Sequence, residues 1–137
     1  MKVSIDTRWL EKMAFESTIG DHKIRIDGAP EVGGENSGCR PKPLLLTALA
    51  GCTGMDVVSI LRKMRIEFEE LVISVEAEMR EEHPKYYEHM KVIYKFKGKN
   101  IPHEKVEHAV NLSQEKYCGV SALFAKAIPV DFEIVIE

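Results

Sequence analysis

Three rhythms of apolar and polar residues run along the chain. Val3, Ile5 and Trp9, then the segment from Met13 to Ser17, then His22 to Asp27 read as three short strands, with Gly20-Asp21 as the turn between the last two. From Leu44 to Leu61 the chain is almost continuously apolar and Asp56 is its only charge. This predicts a helix reaching about Arg65, buried nearly all round as the central element. After Leu71 the period becomes two. Leu71, Ile73, Val75, Ala77 and Met79 alternate with largely polar residues, as do Met90, Val92, Tyr94 and Phe96 beyond a turn around His83-Pro84. That pattern predicts an antiparallel hairpin with one buried face. Helical spacing returns from His103 to Leu112 through Val106, Ala109, Val110 and Ser113, behind Pro102, and a short helix from Cys118 to Ala127 follows. Ile128, Val130, Phe132, Ile134 and Ile136 close the chain as a strand.

The order β-β-β-α-β-β-α-α-β is that of an α+β fold, with antiparallel sheets packed on a long buried central helix, in one domain covering residues 1–137. Residues 28–43 hold four of the nine glycines and three of the six prolines and form a loop into the long helix, whose first turn suits Pro41 or Pro43. Inside that helix, Thr47, Ala50, Gly51 and Gly54 make a stripe of small residues. Each interior glycine costs about 1 kcal/mol against alanine, so close approach by another helix or a substrate is expected there.

Composition narrows the setting. With 45% hydrophobic and 30% charged residues the chain has the make-up of a soluble protein, and its net charge of −3 gives no reason to expect nucleic acid or an anionic membrane as partner. No apolar stretch is expected to reach the roughly 18 residues that span a bilayer, and the first residues lack a signal-peptide pattern. Three cysteines, an odd number, favour a reducing, cytoplasmic location. No metal is expected: His103 and His108 fall on different helical faces, His22, His83 and His89 read as surface residues, and the cysteines lack metal-ligand spacing. Gly33-Gly34 lacks the strand-glycine-helix setting of a phosphate cradle, and no bound cofactor is implied.

The cysteines carry the candidate chemistry. Cys52 lies in the apolar helix, and Cys118 lies far along the chain in Tyr117-Cys118-Gly119-Val120. A distant pair of thiols is what a two-cysteine redox cycle uses, although a buried cysteine taken alone is more often an inert packing residue. A reactive thiolate inside an apolar helix needs a cation beside it, because the helix dipole fades within the first turn. Arg25, on the third strand, and Arg40, in the entry loop, are the candidates, with Arg8 a weaker third. Cys118, at the start of a short helix, is expected to have a lowered pKa and to leave readily from a disulfide. Cys39 reads as incidental, and Trp9 as a core or interface packing residue. Tyr117 and Phe124 flank Cys118 and could line an apolar pocket. Asp56, one turn after Cys52, is expected to be held by an arginine or by helix N–H groups of a neighbouring element.

Gly38-x-x-Pro41-x-x-Leu44-Leu45, Ala48-Leu49-Ala50-Gly51-Cys52-Thr53, Asp56-Val57-Val58-x-Ile60-Leu61-Arg62-Lys63-Met64-Arg65 and Tyr117-Cys118-x-Val120 together resemble the OsmC/Ohr family, the osmotically induced and organic hydroperoxide resistance proteins. The resemblance covers nearly the whole chain. It implies an intertwined homodimer with sites at the subunit interface, reducing organic hydroperoxides through a cysteine pair that an external dithiol restores. It further implies that Cys52 attacks the peroxide and Cys118 resolves the product. The family's hydroperoxide reductases also use an arginine and a glutamate near the reactive thiol, and Lys42 stands at the glutamate position here. That departure favours the alternative of a binding or redox-sensing relative without efficient peroxidase activity.

Overall fold

A computed structural model describes all residues from Met1 to Glu137, which divide into two compact units, Met1–Leu45 and Leu46–Glu137. The first unit holds a three-stranded antiparallel sheet in the order β1-β2-β3, from β1 (Asp6–Glu11), β2 (Ala14–Ile19) and β3 (His22–Ile26). The first strand begins later than the sequence pattern suggests, and Val3 and Ile5 lie before it, exposed. Trp9 is 60% exposed and donates from Nε1 to the carbonyl of Lys12 at 2.9 Å, so it caps the β1–β2 turn rather than filling a core.

Behind β3 the chain folds around Asp27. Its buried carboxylate accepts from the N–H of Gly28 (2.7 Å), Glu35 (3.2 Å) and Ser37 (3.0 Å) and from Ser37 Oγ (2.6 Å). These bonds hold its pKa well below the usual carboxylate range, the Ser37 hydroxyl contributing most. Glycine at position 34 is required by crowding: a Cβ there would lie 2.0 Å from the Gly28 carbonyl oxygen. A 3₁₀ turn spans Pro30–Val32, and Cys39 returns to bridge Ile26.

The long helix α1 (Pro43–Lys63) starts with proline at its first position, as expected. It ends with Arg65 in the left-handed region (φ 61°), and the Ile66 N–H closes on the Leu61 carbonyl at 2.9 Å. At 21 residues it is long and apolar enough to cross a membrane by length and composition, contrary to the expectation that no stretch reaches that length. Small residues and hydroxyls, which break the run of large apolar side chains, conceal this in the sequence. The helix is also not buried all round. Only Leu49, Thr53, Val57 and Leu61, one stripe at four-residue spacing, are fully enclosed, while Met55 is 77% exposed on another face.

That stripe packs on the second unit's sheet, β4 (Glu70–Met79), β5 (Tyr87–Lys97) and β6 (Val130–Ile136). The order is β4-β5-β6, antiparallel for the first pair but parallel for the second, so this sheet is mixed where antiparallel sheets were expected. A parallel neighbour needs a crossover, which here consists of α2 (His103–Leu112), a π-helical turn at Ser113–Tyr117 and α3 (Gly119–Ala125). Leu49, Val57 and Leu61 meet Met90, Val92, Tyr94 and Phe96 from β5 and Val106, Ala109 and Val110 from α2. The α+β class and the element order agree with the sequence pattern. The close approach at Gly54 comes from a strand rather than a helix or substrate, since a Cβ there would stand 2.8 Å from Ile73 Cδ1, whereas Gly51 faces open space.

A candidate dithiol site

Cys52 and Cys118 meet inside the second unit. Cys52 projects from α1 partly buried, Cys118 is 2% exposed, and the two free cysteines stand close enough for Cys52 to act on the Cys118 thiol. Cys118 is the N-cap of α3, its sulfur accepting from the Ser121 N–H at 3.3 Å. Its own N–H donates to the Ser113 carbonyl at 2.8 Å, closing the π-helical turn. Burial pushes the Cys118 thiol up to about 11; the Ser121 N–H opposes it most, the nearby Cys52 adds to the rise, and the Val120 N–H opposes it weakly. The expected lowering at a helix start is therefore reversed, because the two N–H groups cannot offset the removal of water.

Around the pair lies a polar network that the sequence reading missed. Thr53 Oγ1 is 2.6 Å from Tyr94 Oη and 2.7 Å from Ser113 Oγ. Ser113 donates to Asp56 Oδ2 at 2.9 Å, Gln114 Nε2 donates to Tyr94 Oη at 2.7 Å, and Ser121 Oγ donates to Gln114 Oε1 at 2.5 Å. Thr53, Tyr94, Ser113 and Ser121 are buried, and every buried side-chain polar atom finds a partner. Burial also raises the Tyr94 pKa, partly offset by its bonds to Thr53 and Gln114. The available signals were Ser113 continuing the apolar stripe of α2 and Tyr94 standing among the inward positions of β5. A hydroxyl at a core position needs partners, and three such residues can satisfy one another.

The other expected residues fall as follows. Asp56 is held by Ser113, a hydroxyl, instead of an arginine or helix N–H groups. Arg25 and Arg40 both belong to the first unit and are engaged there. Arg25 Nε donates to Ser37 Oγ at 2.9 Å, and Arg40 Nη1 donates to Asn36 Oδ1 (3.0 Å) and to the carbonyl oxygens of Gly38 (3.3 Å) and Asp27 (3.5 Å). Cys39 is exposed, and its thiol donates to the Arg25 carbonyl at 3.5 Å. Phe124 packs on the core, whereas Tyr117, 53% exposed, lines a groove with Asp56, Lys63 and His108, so the two do not form one pocket with Cys118. His89 pairs with Asp131 at 2.6 Å.

The family model described as OsmC-like protein matches residues 34–133. Protein YhfA of Escherichia coli (strain K12) is 35% identical over 135 residues, which span 93% of this chain and 95% of its own. The crystal structure of a hypothetical protein from Aquifex aeolicus VF5 matches with a TM-score of 0.84 and 32% identity, over 100% of this chain and 99% of that one. The organic hydroperoxide resistance protein OhrB of Bacillus subtilis, 18% identical, shares the fold with a TM-score of 0.63, over 100% of this chain and 98% of its own. With the family model covering most of the chain and relatives above 30% identity along nearly its full length, this chain belongs to the OsmC-like protein family.

Proposed function

We propose that the protein reduces organic hydroperoxides with Cys52 and Cys118. The observation that carries this reading is that two free thiols, remote in sequence, pack in one cluster close enough for one to act on the other. In the first step the Cys52 thiolate attacks the terminal peroxide oxygen, the O–O bond breaks, and the departing alkoxide takes a proton to become an alcohol. Cys52 is left as a sulfenic acid. Cys118 sulfur then attacks the Cys52 sulfur, the S–O bond breaks, and hydroxide leaves with the Cys118 proton as water. An external dithiol reduces the resulting disulfide. Cys118 is assigned the second role because the partly exposed Cys52 is the more accessible of the two to a peroxide, whereas Cys118 is buried beside it. Both cysteines belong to a cluster with Leu49, Val57, Val120 and Phe124, and such surroundings favour alkyl over purely polar peroxides.

Membership of a family that includes organic hydroperoxide resistance proteins supports the same reading. So does the apolar groove of about 670 Å³ along α1, with Gly51, Met55, Val58 and Leu71, on which we place the second copy of a homodimer. In this proposal Arg25 or Arg40 supplies the positive charge, no cofactor takes part, neither nucleic acid nor a membrane is a partner, and a reducing cytoplasm keeps the thiols free. Lys42 at the family's glutamate position favours a second reading, a redox-sensing or binding relative that reacts only once. Consumption of cumene hydroperoxide with excess dithiothreitol decides between them. Many turnovers, abolished in Cys52→Ser, support the enzyme, at most a single equivalent supports the second reading, and no reaction rejects the enzyme.

A further inference from the structure

The buried hydroxyls around the thiol pair can be ordered by counting protons. Ser113 spends its only hydroxyl proton on Asp56, so Thr53 must donate to Ser113. Thr53 has then spent its own proton, and Tyr94 must donate to Thr53. Gln114 donates to Tyr94, and Ser121 donates to Gln114. One directed chain results, from Ser121 through Gln114, Tyr94, Thr53 and Ser113 to the Asp56 carboxylate, with every hydroxyl donating once.

Its members are placed around the cysteines. Thr53 follows Cys52 on α1, Ser113 accepts the N–H of Cys118 on its carbonyl, and the Ser121 N–H reaches the Cys118 sulfur. Apolar side chains would fill the same space without needing partners, so the buried chain contributes a defined arrangement more than bulk stability.

We propose that this hydroxyl chain is a positioning device: it clamps the Ser113–Ser121 segment, which carries Cys118, onto α1 at Thr53 beside Cys52, and so sets the stability of the Cys52–Cys118 disulfide. The inference rests on the reading that this pair cycles between dithiol and disulfide. In exchange with dithiothreitol, two electrons and two protons pass from the protein dithiol to the oxidised reagent as the protein S–S bond forms. Loosening the clamp lowers the effective concentration of one thiol at the other, so the disulfide becomes easier to reduce.

Thr53→Val keeps the side-chain shape and removes the central hydroxyl. In graded mixtures of reduced and oxidised dithiothreitol, with the 52–118 link read by mass spectrometry after alkylation, its equilibrium constant for disulfide formation is expected to fall at least about tenfold, a potential about 30 mV higher. Thr53→Ser is expected to restore the wild-type value. Val106→Ala, a core truncation outside the chain, is expected to lower the thermal midpoint and leave the potential in place. If Thr53→Val does not fold, Tyr94→Phe breaks the same link from the other side. An unchanged constant in the folded variant, an equal shift in Val106→Ala, or no 52–118 link at any buffer ratio would overturn the proposal. Wild-type peroxide turnover is scored separately. A link that shifts as expected in a protein that consumes no peroxide keeps the positioning device and rejects the peroxidase reading.

Discussion

Ionisation of Cys118 offers a quantitative test of how the site is built. Burial places its pKa near 11 instead of the ordinary 9. At pH 8 the thiolate fraction then falls from roughly one in ten to about one in a thousand, a hundredfold deficit before access is considered. The assay is alkylation by iodoacetamide followed by mass spectrometry of the Cys118 peptide between pH 7 and 11, with the same chain unfolded in urea as reference. Folded Cys118 is expected to react at least about a hundredfold more slowly at pH 8 and to accelerate as the pH approaches 11. The linked effect on stability has a definite sign. A folded-state pKa above the unfolded one contributes stability that is complete below about pH 9 and is lost as the pH rises towards 11. Two units correspond to a ceiling of about 2.7 kcal/mol, and residual solvent screening reduces the expected loss to about 1–2 kcal/mol. Lys91, raised mainly by its bond to Glu133, and Tyr94 titrate in the same direction, so the difference between wild type and Cys118→Ala isolates the thiol. Equal alkylation rates for folded and unfolded chains at pH 8, or a difference curve that is flat from pH 9 to 11, would refute the reasoning.

Other substitutions test separate parts of the fold. Ser113→Ala deprives buried Thr53 of an acceptor and Asp56 of a donor, and should cost about 1–3 kcal/mol in urea unfolding; a cost below 0.5 kcal/mol would show that water replaces the hydroxyl. Gly54→Ala gains about 1 kcal/mol of helix propensity but pushes a methyl onto Ile73 Cδ1, so it should stabilise Ile73→Val more than wild type. A double-mutant coupling of at least about 0.5 kcal/mol is expected, and strict additivity would contradict the close approach. Asp27 is held well below its ordinary pKa of 3.8, so its stabilisation is complete above that value and is lost progressively as the pH falls from there towards the lowered folded-state pKa. Asp27→Asn should flatten the acid limb of the stability curve, and an unchanged acid midpoint would refute that account.

Periodicity conveyed the strands and helices well, because period two and period 3.6 each leave a readable trace when one face is buried. It failed on α1, where apolar composition was taken for burial, although an apolar face can equally be left for a partner. It also failed between α2 and α3, since the π-helical turn at Ser113–Tyr117 has no periodic signature and is closed by a single local backbone bond, the Cys118 N–H on the Ser113 carbonyl five residues earlier. The two cysteines were visible as residue types in a family pattern, but their meeting depends on a crossover that spacing does not encode. The surrounding hydroxyls were hidden for a related reason. Thr53, Tyr94 and Ser113 come from three elements, and each alone reads as an ordinary polar interruption. The Cys118 pKa was misjudged because a local feature, the helix start, was weighed without the burial that outweighs it.

The parallel placement of β6 beside β5 bears on how the protein comes through its own synthesis. The β4–β5 hairpin can form locally, but Val130–Ile136 can pair with Met90–Phe96 only after the whole crossover has been made and its loop closed, a slower, long-range step. Cys118 rides on that crossover. Under the proposed two-cysteine cycle, a newly made chain carries Cys52 for an interval without its companion, and an oxidant arriving then would produce a sulfenic acid with nothing nearby to trap it, open to irreversible over-oxidation. How fast the last strand docks would thus govern how much of the protein survives its own manufacture in a cell already under oxidant attack.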